Sequence, residues 1–142
     1  MANEVTVTAA DVRPLRGAVI VRAVAGEALA FGDAVYVSSY SGDLPAVSKI
    51  LGGAVATCNP LGIVVAPSVA LAGSSVASGE ACDVVVFGPV TGYSGMTSGN
   101  TIWASDTAGR LSKVVGTKSG IVGVALSPET VLVRPGLFAV SS

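Results

Sequence analysis

The sequence predicts an all-β domain, a small barrel or sandwich made from two related strand–hairpin units behind an N-terminal arm. Three observations carry that expectation. Short β-branched runs recur along the chain, each ended by Gly, Pro, Ser or Asn, the punctuation of strands in an all-β domain. No window of a dozen residues keeps the 3.6-residue apolar period of an amphipathic helix. One stretch also repeats: Gly32 to Val47 aligns without gaps on Gly99 to Val114, with five of sixteen positions identical.

Residues 1–17 stand outside the repeat and are expected to form the arm. Val5 and Val7 face one way and Thr6 and Thr8 the other, followed by Asp11, Arg13, Pro14 and Arg16. Two readings stand for this segment: an arm that adds a strand to a partner's sheet edge, or the first strand of the chain's own sheet. Residues 18–142 form the main domain, with the repeat covering 18–80 and 83–135. Strands are expected at 18–24, 34–37, 44–47, 62–66, 83–87, 101–104, 111–114, 121–126 and 131–134. Short helical turns are expected near 9–12 and 69–72.

Each repeated unit has a mechanical reading. Gly32 or Gly99, followed by Asp33 or Asn100, supplies a turn tolerant of positive φ. Val35-Tyr36 or Ile102-Trp103 then opens a strand with large β-formers. A hairpin loop at 38–42 or 105–109 closes on Gly42 or Gly109, and Leu44 or Leu111 begins the return. Upstream, Val19 to Val21 matches Val84 to Val86; downstream, Leu61 to Val64 matches Val122 to Ala125. Two such units stacked make a compact barrel or sandwich.

Composition bounds function. The chain has 142 residues, 51% hydrophobic, 5% aromatic and 12% charged, against about 25% charged in ordinary soluble domains. That length suits one domain. Its net charge of −1 and pI near 5.2 lack the electrostatic footprint of a nucleic-acid-coating protein. Arg13, Arg16 and Arg22, and separately Arg110, Lys113 and Lys118, form only loose basic groups. The chain contains no histidine, which removes His-based triads, bases and metal ligands. Cys58 and Cys82 read as small buried thiols or a single bridge. No charge falls between Ile50 and Gly79, but Gly52-Gly53, Pro60, Pro67 and Gly73 interrupt that stretch, as no spanning helix would. No secretory signal is visible, so synthesis in the cytoplasm is expected.

Enzyme signatures are missing. Lys118-Ser119-Gly120 has no Ser-x-x-Lys to accompany it, and Gly116 to Ser119 lacks the Gly before Lys of a phosphate loop. The carboxylates are scattered, with Glu80/Asp83 and Asp33/Asp43 the nearest approaches to pairs. No catalytic residue, cofactor or metal is expected. A chain so poor in charge exposes neutral, partly apolar surface, and large apolar patches mark interfaces.

The second unit and its ending carry a resemblance. Gly99-Asn100, Ile102-Trp103, Ser105 to Gly109, Leu111, Ile121 to Leu126 and Val131 to Arg134 together resemble the C-terminal half of tailed-phage capsid decoration, or cement, proteins. The likeness covers roughly residues 18–135 once the first unit is included. Tyr40, Pro45 and the long connections at 48–60 and 67–82 depart from the pattern.

The resemblance implies a β-tulip-like barrel, a homotrimer, and a place on the outer surface of the phage head, bound to the major capsid protein. It also implies that the arm reaches onto the shell, with Val5, Val7, Arg13 and Arg16 assigned to that contact by position and pattern. No nucleic acid or membrane partner is expected. The alternative is a glycan- or receptor-binding module of a head fibre or tail, using Tyr36, Tyr40, Tyr93 and Trp103.

Overall fold

A computed structural model of the chain describes residues 4–50, 59–65, 75–115 and 120–137. Its strands, in chain order, are β1 (Thr6–Val7), β2 (Arg13–Pro14), β3 (Val19–Ala25), β4 (Leu29–Ala30), β5 (Ala34–Ser41), β6 (Leu44–Lys49) and β7 (Gly62–Val65). There follow β8 (Ser75–Val76), β9 (Ala81–Thr91), β10 (Tyr93–Ser94), β11 (Thr101–Ala104), β12 (Leu111–Ser112), β13 (Gly120–Ala125) and β14 (Thr130–Leu137). One 3-10 turn covers Ala9–Asp11, and the described residues contain no α-helix. The expected turn near 69–72 lies outside the described residues, as do Cys58, Lys118 and Ser119.

Five strands close into a barrel. β3 pairs with β9, β9 with β7, β7 with β5, β5 with β6, and β6 returns to β3. All these pairs are antiparallel except β3–β6, which is parallel and meets only at Val24↔Ala46 and Ala25↔Val47. Ala23, Val35, Val47, Ile63, Val84 and Val85 of these strands are all fully buried in the core. Outside the barrel, β14, β13, β11 and β12 continue the sheet from β9.

The two hairpin units share a register. Ala34 pairs with Ile63 and Val35 with Gly62; Thr101 pairs with Val124 and Ile102 with Gly123. The turns before them match as well, with Asp33 N–H donating to the Ala30 carbonyl and Asn100 N–H to the Thr97 carbonyl at 3.1 Å each. Gly32, Gly42, Gly99 and Gly109 all have positive φ. A Cβ on Gly62 would overlap the Val85 carbonyl oxygen, and one on Gly123 the Leu132 carbonyl oxygen. Both glycines are therefore held by the neighbouring backbone.

The matching runs Val19 to Val21 and Val84 to Val86 pair with each other, Ile20 with Val85 and Val21 with Val84. Two expectations need correction. First, residues 38–41 are strand, not loop, because β5 runs on to Ser41↔Leu44 and only Gly42-Asp43 turns; in the second unit 105–110 is the wider loop.

The second correction concerns the N-terminal segment, which pairs within its own chain. In the first unit β6 meets β3 and closes the barrel. In the second, residues 4–15 run between β12 and β9. Val5 N–H donates to the Leu111 carbonyl, Thr8 N–H to Gly92 and Leu15 N–H to Pro89, each at 2.9 Å. β1 pairs with β10, and β2 with β9 at Arg13↔Thr91 and Pro14↔Val90. Val5 and Val12 are buried in the core, and Val7 is packed half-buried against it. The own-sheet reading of the segment accounts for these contacts, and Val5 has no surface to offer a partner.

Removal of residues 1–14 is expected to cost about 1.5–3 kcal/mol for each of the two buried valines, seen as a lower urea midpoint. Gly123→Ala is expected to cost more than 3 kcal/mol, as strain against fixed backbone does. Gly42→Ala, at a φ of 61° with open space around it, is expected to cost about 1 kcal/mol. Equal midpoints for the two alanine variants would contradict the register described above.

Candidate interaction surface

The barrel wall has one weak stretch. β3 is paired on one side along its whole length, but β6 reaches it on the other side only at Val24 and Ala25. From Val19 to Arg22 its second edge has no partner strand among the described residues. Strand alternation normally hides one face. Here Val19, Ile20 and Val21 are all exposed, at 51%, 43% and 37%. Phe87, opposite Val19, is 49% exposed, and Leu15, bonded through its N–H to Pro89, is 41% exposed. These five exposed apolar side chains lie along and beside that edge, Ile20 on the opposite side of β3 from Val19 and Val21. Arg22 and Asp83 bound the edge, with Nε 3.5 Å from Oδ1. At 59% exposure of the Arg22 side chain, that pair adds little to stability.

A second exposed element is the β5–β6 hairpin. Beyond Val37 its residues leave the barrel wall, and Tyr40 is the most exposed large hydrophobic side chain described, at 79%. Arg13 and Arg16 are exposed near the start of β3.

The titratable groups serve the fold. Asp33 is buried, and its Oδ2 accepts the Ala30 N–H at 2.9 Å. Burial raises its pKa against the opposing effects of that bond and of Lys49 and Arg110. Gly109 lies directly against the Asp33 carboxyl, and Ala34 N–H donates to the Gly109 carbonyl at 2.9 Å. Asp33 thus sits where the tip of the second hairpin docks on the first unit. The sequence suggested it as a turn residue and as a possible partner of Asp43, not as a docking point. The signal available was an acid in a buried turn where the other unit carries Asn100.

Glu80 and Asp83 do not form an acid pair. Glu80 Oε1 accepts the Ala77 N–H, while Asp83 faces Arg22. Cys82 is a buried free thiol, and burial, then Asp83, pushes its pKa up to about 11 against the pull of Arg22. Such a thiol is a poor nucleophile at neutral pH. No group of three or more metal-ligating side chains occurs among the described residues, and no described helix is long and apolar enough to cross a membrane.

The aromatic residues do not converge. Tyr93 is buried and donates its hydroxyl to the Gly32 carbonyl at 2.8 Å, so its ring is closed to a sugar. Burial also raises its pKa strongly. Tyr36 and Trp103 are half-buried at corresponding places in β5 and β11. An open depression of about 440 Å³ is lined by Thr8, Asp11, Arg13, Thr91, Gly92, Tyr93, Ser94 and Glu129. A smaller one of about 210 Å³ is lined by Tyr36, Val37, Asn59, Pro60 and Leu61. Neither holds more than one of the four aromatic candidates.

Comparison with protein-family models, curated proteins and solved structures finds no match.

Asp33→Asn is expected to stabilise the chain at pH 7, because Asn can still accept the Ala30 N–H without a buried charge. The pKa of Asp33 is raised on folding, so its contribution is full below its ordinary value of 3.8 and is lost as pH rises through the folded value. The advantage of the variant should therefore shrink as pH falls toward 3.8, in thermal melts across that range. A variant less stable than the parent at pH 7 would show the carboxylate to be favourable.

Proposed function

We propose that the chain is a structural virion protein: a capsid decoration, or cement, protein that binds the outside of a tailed-phage head as a trimer and stabilises the expanded shell. One observation carries the reading. Apolar side chains stand exposed along the free edge of β3, on a chain that is only 12% charged, and exposed apolar surface marks contacts with other proteins. The resemblance of residues 99–134 to decoration proteins supplies the class of partner, and the all-β barrel suits a rigid clamp.

The physics of the role needs surface, not chemistry. A protein that binds the expanded shell and not its precursor stabilises the expanded form by mass action. Three copies joined together engage three shell subunits at once, so modest single contacts gain avidity. Of Val5, Val7, Arg13 and Arg16, the two arginines are exposed, and they are the proposed contacts with the major capsid protein.

Mixing the purified chain with expanded heads lacking it, from the phage that encodes it, should cause co-sedimentation and raise the temperature at which the heads open. Arg13→Glu combined with Arg16→Glu should weaken binding about tenfold or more, as charge reversal at a contact does. Failure of the unaltered chain to bind expanded heads would overturn the reading.

A further inference from the structure

We infer that the seam between β12 and the second half of β9 is a strand-binding groove that recognises residues 4–15 by their side chains. The segment is then a strap that leaves and re-enters its groove while the barrel stays closed.

The groove has a main-chain part and a side-chain part. The N–H groups of Val5, Thr8 and Leu15 donate to the carbonyls of Leu111, Gly92 and Pro89, and Glu4 bridges to Ser112. Such bonds hold any extended peptide, whereas pockets for particular side chains select among peptides. Two glycines make those pockets. A Cβ on Gly92 would lie 2.7 Å from the Val12 Cα and 2.8 Å from its nitrogen. One on Gly32 would lie 2.6 Å from Val7 Cγ2 and 3.0 Å from Val12 Cγ2. The Tyr93 hydroxyl, bonded to the Gly32 carbonyl, fixes that floor. The 3-10 turn, in which Asp11 N–H donates to the Thr8 carbonyl at 2.9 Å, returns Val12 to the glycine that Val7 also meets. With Val5 buried ahead of them, the groove reads valines at the first, third and eighth places of a peptide.

The barrel closes without the strap. None of its five strand pairs includes residues 4–15. The strap's own strand pairs, β1–β10 and β2–β9, are two residues each. A segment held by so little opens below the free energy of global unfolding, as a separate unit. A hinge stands behind it. Leu15 to Ala18 form a turn, with Ala18 N–H donating to the Leu15 carbonyl at 3.2 Å. Arg16 and Gly17 are exposed there, and a Cβ on Gly17 would meet nothing within 4 Å.

Hydrogen exchange of the full chain in low urea is the first test. The Val5, Thr8 and Leu15 amides should share one protection factor, at least about tenfold below that of the Val64 amide in the barrel, with a weaker dependence on urea. Val12→Ala should lower strap protection about tenfold, for the two carbons lost, and leave Val64 unchanged. Strap and Val64 amides exchanging at one protection factor with one urea slope would overturn the inference, because segment and barrel then open only together.

The second test supplies the strap from outside. In the full chain carrying Val12→Asp the strap cannot seat, and a synthetic peptide of residues 4–16 should bind in its place and raise the thermal midpoint as its concentration rises. The same peptide carrying Val12→Asp should bind about 100-fold more weakly, as an unpaired carboxylate taken out of water does. Equal binding of the two peptides, or none by the unaltered one, overturns the groove. Where the Val12→Asp chain does not fold, the exchange pattern of the unaltered chain decides. Phage heads take no part in either measurement, so the outcome is independent of the proposed function.

Discussion

Everything in this fold leans on β9. Its first half, Ala81 to Val85, is wedged between β3 and β7 and completes the barrel. Its second half, Gly88 to Thr91, lies between β14 and β2 and begins the outer sheet. The change of partners falls at Phe87-Gly88, where Gly88 has a φ of 118° and a Cβ would strike the Ala18 backbone. One eleven-residue strand therefore serves two walls, and the rest of the chain is arranged around that division. The N-terminal segment fills the gap beside the second half. Nothing described fills the corresponding edge of β3, which runs beside the first.

The asymmetry between the two units follows. In the first, the long β5–β6 hairpin curls round so that β6 touches β3, but only at its far end. The barrel is closed, yet the near end of β3 keeps a free edge with apolar side chains on both faces. In the second, β12 is two residues long, because the Ser112 hydroxyl donates to the Val114 carbonyl and turns the chain away. The seam that results is sealed by residues 4–15. One unit is thus finished by the chain itself, and in the other the near end of β3 keeps an edge without a partner strand among the described residues.

Much of the architecture was legible in the residues. The 101–104 strand matches its expected bounds, and most of the other long strands fall within a few residues of theirs, because β-branched runs ended by Gly or Ser carry their own boundaries. The 3-10 turn at Ala9–Asp11 overlaps the expected turn near 9–12. The sequence could not reveal β9 as one strand, since Gly88-Pro89 reads as a stop. Its length comes from neighbours on both sides. The pairs β1–β10 and β4–β8 are two residues each, too short for any period to register. The place of the N-terminal segment was hidden for another reason: its partners, 89–94 and 111–112, are remote in sequence, and burial of Val5 and Val12 depends on them. The exposed apolar edge was foreseen only as a compositional surplus, since nothing in Val19-Ile20-Val21 distinguishes an exposed strand from a buried one.

The proposed role on a phage head is tested most directly by cryo-electron microscopy of the mature head, at side-chain resolution, from the phage that encodes the chain. The proposal predicts density for this chain outside the shell, in threes, with residues 4–15 within their own sheet. A mature head without the chain on its surface would contradict it.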